Sequence, residues 1–255
     1  MANLNNWTRE QTIVAFNVYC KIPFKNSSKT HPMIIKYANI IGRSPSALNM
    51  KIGNLGRLDP ELKKRGITGL ANGGKLEKVI WDEFHGNWED LAYESEKLIS
   101  QFQNKTIIET DEIDLTDFPE GKDVERLVKT RVNQNFFRSS VLSSYYQKCC
   151  ITGIEVSDFL VASHIIPWSS NTEQRMNPRN GLCLNSIHDK AFDKGFLTVT
   201  TDFEIKISEA IFEHKENQSI SDFFLKYNKQ KIALPDKFFP SKEFLEYHND
   251  NIFRG

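Results

Sequence analysis

The chain has 255 residues, 39% of them hydrophobic and 26% charged, with 33 basic side chains balancing 33 acidic ones. That length suffices for one large or two modest domains with their own cores, and the composition excludes collagen-like, low-complexity and disulfide-scaffold classes. The four cysteines (Cys20, Cys149, Cys150, Cys183) are not spaced as a secreted disulfide framework, no apolar run reaches the length of a membrane span and no secretory leader pattern is visible, so a soluble, cytoplasmic protein without membrane contact is expected.

The zero net charge is an average over unlike blocks. Residues 1–60 hold eight Lys/Arg against Glu10 and Asp59, a net of +6. Residues 101–125 hold Lys105 and Lys122 against eight acids, a net of −6, and residues 126–200 return to nine basic against five acidic, a net of +4. Two basic blocks separated by an acidic one suggest two surfaces that can meet phosphates.

Residues 1–98 read as mostly helical. Thr8 suits an N-cap, with Ile13, Val14, Phe16 and Val18 at helical spacing behind it. The polar break Lys25 to Thr30 ends that helix, and Pro32 can occupy the first turn of the next. In IIKYANIIGRSPSALNMKIGNLGRL, Ile34 to Leu58, Gly42 can take the positive φ that ends one helix, Ser44 caps the next and Pro45 stands in its first turn. Ala47, Leu48, Ile52 and Leu55 make an apolar stripe, leaving Arg43, Ser46, Asn49, Met50 and Lys51 to point outward. This segment resembles the DNA-binding helix-turn-helix, which implies Arg43, Ser46, Asn49 and Lys51 as DNA contacts; an ordinary helical hairpin is the rival reading.

Residues 99–123 are expected to be an acidic linker, with a short extended piece at Ile107-Ile108. A helical pattern follows from Val124, and its Arg131, Gln134 and Arg138 have the chemistry to touch phosphates. Beyond it the chain reads as α+β: a strand from Leu160 to Ile166 with His164 at its exit, a second strand Leu182 to Leu184 opened by Asn180-Gly181, and a short helix capped by Ser186 and stopped by Gly195. The last 45 residues look helical and aromatic-rich.

The combination SHIIPW, RMNPRNGLCL and HDKAFDKG within residues 126–200 resembles the HNH endonuclease family. The resemblance implies a ββα-metal fold over residues 124–255 that hydrolyses phosphodiester bonds. By their match to the family's positions, His164 is the general base and Asn180 the residue that braces the loop and orients it. The family's usual metal-binding helix position, nine residues after Asn180, is Asp189, with Asp193 four further on the same face and His188 about 100° away around the helix as a third candidate ligand. Hard oxygen donors suit one Mg²⁺ or Mn²⁺. Ser163, preceding the base, is a poor ligand, and no paired Cys-x-x-Cys motif accompanies Cys150, so no structural zinc is expected and the cysteines read as buried apolar residues. Trp168 and Arg175 fall in the loop between the strands, where they can line a DNA groove.

The expectation is therefore an α+β protein with an N-terminal helix-turn-helix-like domain and a C-terminal nuclease domain, cutting double-stranded DNA as a homodimer in restriction of foreign or modified DNA. A DNA-binding regulator with a degenerate nuclease fold and a nicking or structure-selective nuclease are the alternatives.

Overall fold

In a computed structural model of the chain, residues 6–67, 73–110 and 122–255 are described. They divide between two compact units, residues 1–140 and 141–255. The architecture is mixed α+β, with a helical N-terminal region and small sheets confined to the second unit.

Unit 1 is built around α1 (Arg9–Lys21), buried continuously from Thr12 to Cys20, as befits a helix surrounded by others. Thr8 caps it: its hydroxyl accepts from the Gln11 amide while the Gln11 side chain accepts from the Thr8 amide, a reciprocal capping box. Around it lie α2 (Pro32–Ile40), α3 (Pro45–Gly56), α4 (Pro60–Lys64), α5 (Lys75–Phe84) and α6 (Trp88–Phe102). Phe16, fully buried, stacks on Trp81 of α5 at 4.9 Å between ring centroids and meets Trp88 of α6 edge-on. Burial of such a side chain stabilises the unit by about 1.5–3 kcal/mol. Between α2 and α3, Gly42 has φ +67° and the Ser44 hydroxyl accepts from the Ala47 amide, both as the spacing predicts.

Ile107-Ile108, expected to be extended, opens a short helix, α7 (Ile107–Thr110). The reason is local: Thr106 and Glu109 form another capping box, the Thr106 amide donating to Glu109 Oε2 at 2.7 Å and the Glu109 amide to Thr106 Oγ1 at 3.3 Å. Residues 111–121 of the expected acidic linker lie outside the described residues. The helix α8 (Lys122–Ser144) crosses from one unit to the other. Its first part belongs to unit 1, where Phe136 stacks on Trp88 and Lys129 pairs with Glu89 at 3.0 Å.

Unit 2 holds an antiparallel pair, β1 (Leu160–His164) and β2 (Gly181–Asn185), followed by α9 (Ser186–Asp193), and then a hairpin of β3 (Leu197–Val199) and β4 (Ile205–Ile207). All five residues of β2 are buried. The cap of α9 is Asn185 rather than Ser186, its Oδ1 accepting from the amides of Ile187 and His188. The aromatic C-terminal stretch is only partly helical: α10 (Glu209–Phe212) and α11 (Gln218–Phe223) are short, and α12 (Lys242–Asn251) is its one helix of ten residues. No described helix is long and apolar enough to cross a membrane.

Candidate functional site

The site grows out of one strand register. Pairing Leu160 with Asn185 and His164 with Gly181 puts Asn180, just before β2, beside the chain leaving β1. Asn180 is buried; its Oδ1 accepts from the Ile166 amide at 2.8 Å while its Nδ2 donates to the carbonyls of Ile166 at 3.1 Å and Gln174 at 3.3 Å. Only an amide can accept and donate in this way, so the loop after His164 is pinned by a side chain that a carboxylate could not replace.

His164 is half-buried, with its ring edge-on to Trp168 at 5.4 Å. Its Nε2 lies 3.0 Å from the Arg175 carbonyl, which can only accept, so Nε2 carries the proton and Nδ1 the lone pair. Burial pushes its pKa below the ordinary value, with the Arg175 carbonyl acting weakly the other way. The imidazole is therefore neutral near pH 7, the form that can take a proton.

Opposite the strand, α9 packs on both β1 and β2 and presents Asp189 and Asp193 from successive turns. Ser163, His164, Trp168, Asp189, Asp193 and Lys194 share one cleft of about 480 Å³. Burial raises Asp189, Asp193 raises it further, and Ser163 and Lys190 act against them. Asp193 is raised by burial too, and Lys190 and Lys194 offset part of that. Two neighbouring carboxylates with raised pKa values gain from a cation. The Ser163 hydroxyl, buried without a hydrogen bond of good geometry, is close enough to Asp189 to favour its charged form.

Among the described residues no three His, Cys, Asp or Glu side chains converge as a closed ligand set. A pair of carboxylate oxygens with open positions is nonetheless what Mg²⁺ or Mn²⁺ takes, since such ions keep several waters and phosphate oxygens in their shell. The donors present thus fit a hard divalent ion.

His188 is not part of this cleft. It is fully buried, Nδ1 accepting from Asn185 Nδ2 at 2.9 Å and Nε2 donating to the Phe223 carbonyl at 2.6 Å, between the edges of Phe224 and Tyr227. One residue along a helix turns a side chain by about 100°, and that rotation sends His188 to the core while Asp189 faces the cleft. Its expected role as a ligand is corrected accordingly. All four cysteines are buried and none is in a disulfide.

Lys51 is a second correction. It is buried on α3, its Nζ 2.6 Å from Glu77 Oε1 and 4.6 Å from the centroid of the Trp7 ring, so it is not an outward-pointing contact. Burial alone would raise Glu77, but hydrogen bonds from Lys51, its own amide and Asn54 hold it below the carboxylate range. Arg43 is half-buried, donating to Gln11 and the Asn6 carbonyl with its guanidinium over Trp7, and Asn49 accepts from Ser27 at 2.6 Å. Ser46 remains exposed. On α8, Arg131, Gln134 and Arg138 are exposed, while Arg175 lies over the Trp168 ring and donates to the Trp168 carbonyl.

Two cleft residues were not foreseen as functional. Lys190 and Lys194 line it beside the two aspartates, and their four-residue spacing, parallel to that of Asp189 and Asp193, was the available signal.

Residues 149–200 match the family model described as HNH endonuclease. No curated protein matches the chain significantly. The matched stretch takes in both strands, the loop that Asn180 pins and the helix facing His164. What one strand pair and one helix assemble here is thus, over residues 149–200, similar to an HNH endonuclease domain.

Proposed function

We propose that the protein is a metal-dependent endonuclease of double-stranded DNA in which His164 is the general base and Asp189 and Asp193 are the metal-binding carboxylates. The observation that carries this reading is that a neutral imidazole and two acids of raised pKa line the same cleft. HNH nucleases generally use a divalent metal, and Mg²⁺ or Mn²⁺ held by the two aspartates would neutralise charge on the scissile phosphate and the departing oxygen. His164 Nδ1 takes a proton from water as the resulting hydroxide oxygen bonds to phosphorus and the bond to the 3′ oxygen breaks. The leaving oxygen collects a proton from solvent, giving a 5′-phosphate and a 3′-hydroxyl. Asn180 keeps the loop and hence the imidazole aimed, and Lys190 and Lys194 offer cationic heads to flanking phosphates.

The helical hairpin α2–α3 is proposed as a DNA-recognition element through Ser46, Asn49 and Arg43, with Arg131, Gln134, Arg138 and Arg175 as backbone contacts. One site cuts one strand, so a homodimer is the economical route to a double-strand break, and restriction of foreign or modified DNA is the setting proposed. The test is cleavage of plasmid and phage DNA, with and without base modification, in Mg²⁺ or Mn²⁺. His164→Ala is expected to lower the rate by about 10²–10⁴-fold and Asp189→Ala to raise the metal requirement. Cutting that survives His164→Ala unchanged would move the active site elsewhere; DNA binding without cutting would favour the regulator.

A further inference from the structure

Asp193 sits at the last position of α9, and the groups that hold that turn come from the far end of the chain. His248 of α12 is 1% exposed and stacks on Phe192, the residue before Asp193, with ring centroids 3.7 Å apart and planes 14° from parallel. Its Nε2 donates to the Phe192 carbonyl at 3.2 Å, and its Nδ1 accepts from Thr198 Oγ1 at 2.8 Å, Thr198 itself being fully buried on β3. Burial, working against the Phe192 hydrogen bond, lowers the pKa of this imidazole to about 4, so the neutral tautomer with one donor and one acceptor persists at working pH.

The neighbouring residues close on the same turn. Gly195, with φ +73°, lets the chain leave α9, and a Cβ there would lie 2.0 Å from the Ile252 carbonyl oxygen. The Arg254 amide donates to the Gly195 carbonyl at 2.9 Å. The two carboxylates are thus held by different parts of the fold. Asp189, in the first turn, follows the Asn185 cap on a helix packed on β1 and β2, whereas the turn that carries Asp193 is closed by α9's own carbonyls and is met from outside by His248 of α12 and the Arg254 amide.

We propose that His248 is a positioning residue for the metal-binding carboxylates, fixing Asp193 through the ring and carbonyl of Phe192; this rests on the metal-dependent nuclease reading above. A carboxylate must be held within about 0.5 Å to share an ion with its neighbour, and loss of a partner that orients ligands costs about 10–100-fold in metal affinity or activity.

The experiment is a calorimetric Mn²⁺ titration of the full chain without DNA, for wild type, His248→Ala, His248→Gln and Thr198→Val, with cleavage against Mn²⁺ concentration run in parallel. His248→Ala is expected to weaken Mn²⁺ binding about 10–100-fold and to raise the Mn²⁺ needed for half-maximal cutting by a similar factor. The rate at saturating Mn²⁺ should change far less, and affinity for a DNA duplex in Ca²⁺ should not change. His248→Gln, whose amide both donates and accepts, should recover most of the loss. A folded His248→Ala protein with Mn²⁺ affinity within about twofold of wild type overturns the inference, as does a loss that Gln does not repair, because bulk packing would then explain it. If His248→Ala does not fold, Thr198→Val decides by the same criterion: weakened Mn²⁺ binding supports the role and wild-type binding overturns it. A wild type that neither binds Mn²⁺ nor cuts DNA overturns the nuclease reading and this inference with it.

Discussion

His164, His188 and His248 show how little a residue type says before its surroundings are known. One lines the cleft with a lone pair on Nδ1, one is spent on a cap and a carbonyl in the core, and one staples two elements. His248 makes a measurable pH dependence. In the unfolded chain it takes up a proton near its ordinary 6.5, but in the folded protein only near about 4. Between those values the unfolded state binds more protons, so its contribution to stability is complete above about 6.5 and is lost as pH falls towards 4. The loss across that window is about 3 kcal/mol. Chemical denaturation from pH 7 down to pH 4 should therefore show wild type losing more stability than His248→Gln; parallel curves would mean that the imidazole is protonated in the fold.

At the scale of elements, helix ends decide more than helix middles. Thr8, Ser44 and the Thr106–Glu109 box start helices through side-chain oxygens, and the last of these makes helical a stretch whose paired isoleucines read as strand. Gly42 and Gly195 both stop helices at positive φ, yet they differ in what surrounds them. Nothing lies within 4 Å of a Cβ at Gly42, whereas one at Gly195 would strike the Ile252 carbonyl at 2.0 Å. Gly42→Ala should cost about 1–2 kcal/mol from backbone strain alone, and Gly195→Ala clearly more, since backbone must also move. Equal denaturation midpoints for the two variants would show that the chain after α12 does not clamp α9.

For the whole molecule, zero net charge conceals where cations are available. Of the basic residues singled out from sequence, Lys51 is neutralised by a buried glutamate, while Arg131 and Arg138 stay exposed on one helix. Each phosphate contact adds about 0.9 to the slope of log affinity against log salt. Arg138→Ala should therefore reduce that slope by about one and weaken binding to all sequences alike, as a phosphate contact requires. A filter-binding or anisotropy series over salt would check it, and an unchanged slope would remove this helix from the DNA contacts.

Much of the site was legible in sequence because its parts are local: a histidine at a strand exit, an asparagine-glycine opening the next strand and aspartates one helical turn apart are patterns of short range. The helix starts at Thr8 and Ser44 were legible for the same reason. What sequence could not yield are facts of long range. The rotation of α9 that sends His188 inward depends on what covers the helix, and the Lys51–Glu77 pair joins residues 26 positions apart. The clamp of His248 on Phe192 spans 56. Local chemistry and hydrogen-bonding geometry are written in neighbouring residues; which side chain is desolvated, and by whom, is settled only when distant segments pack.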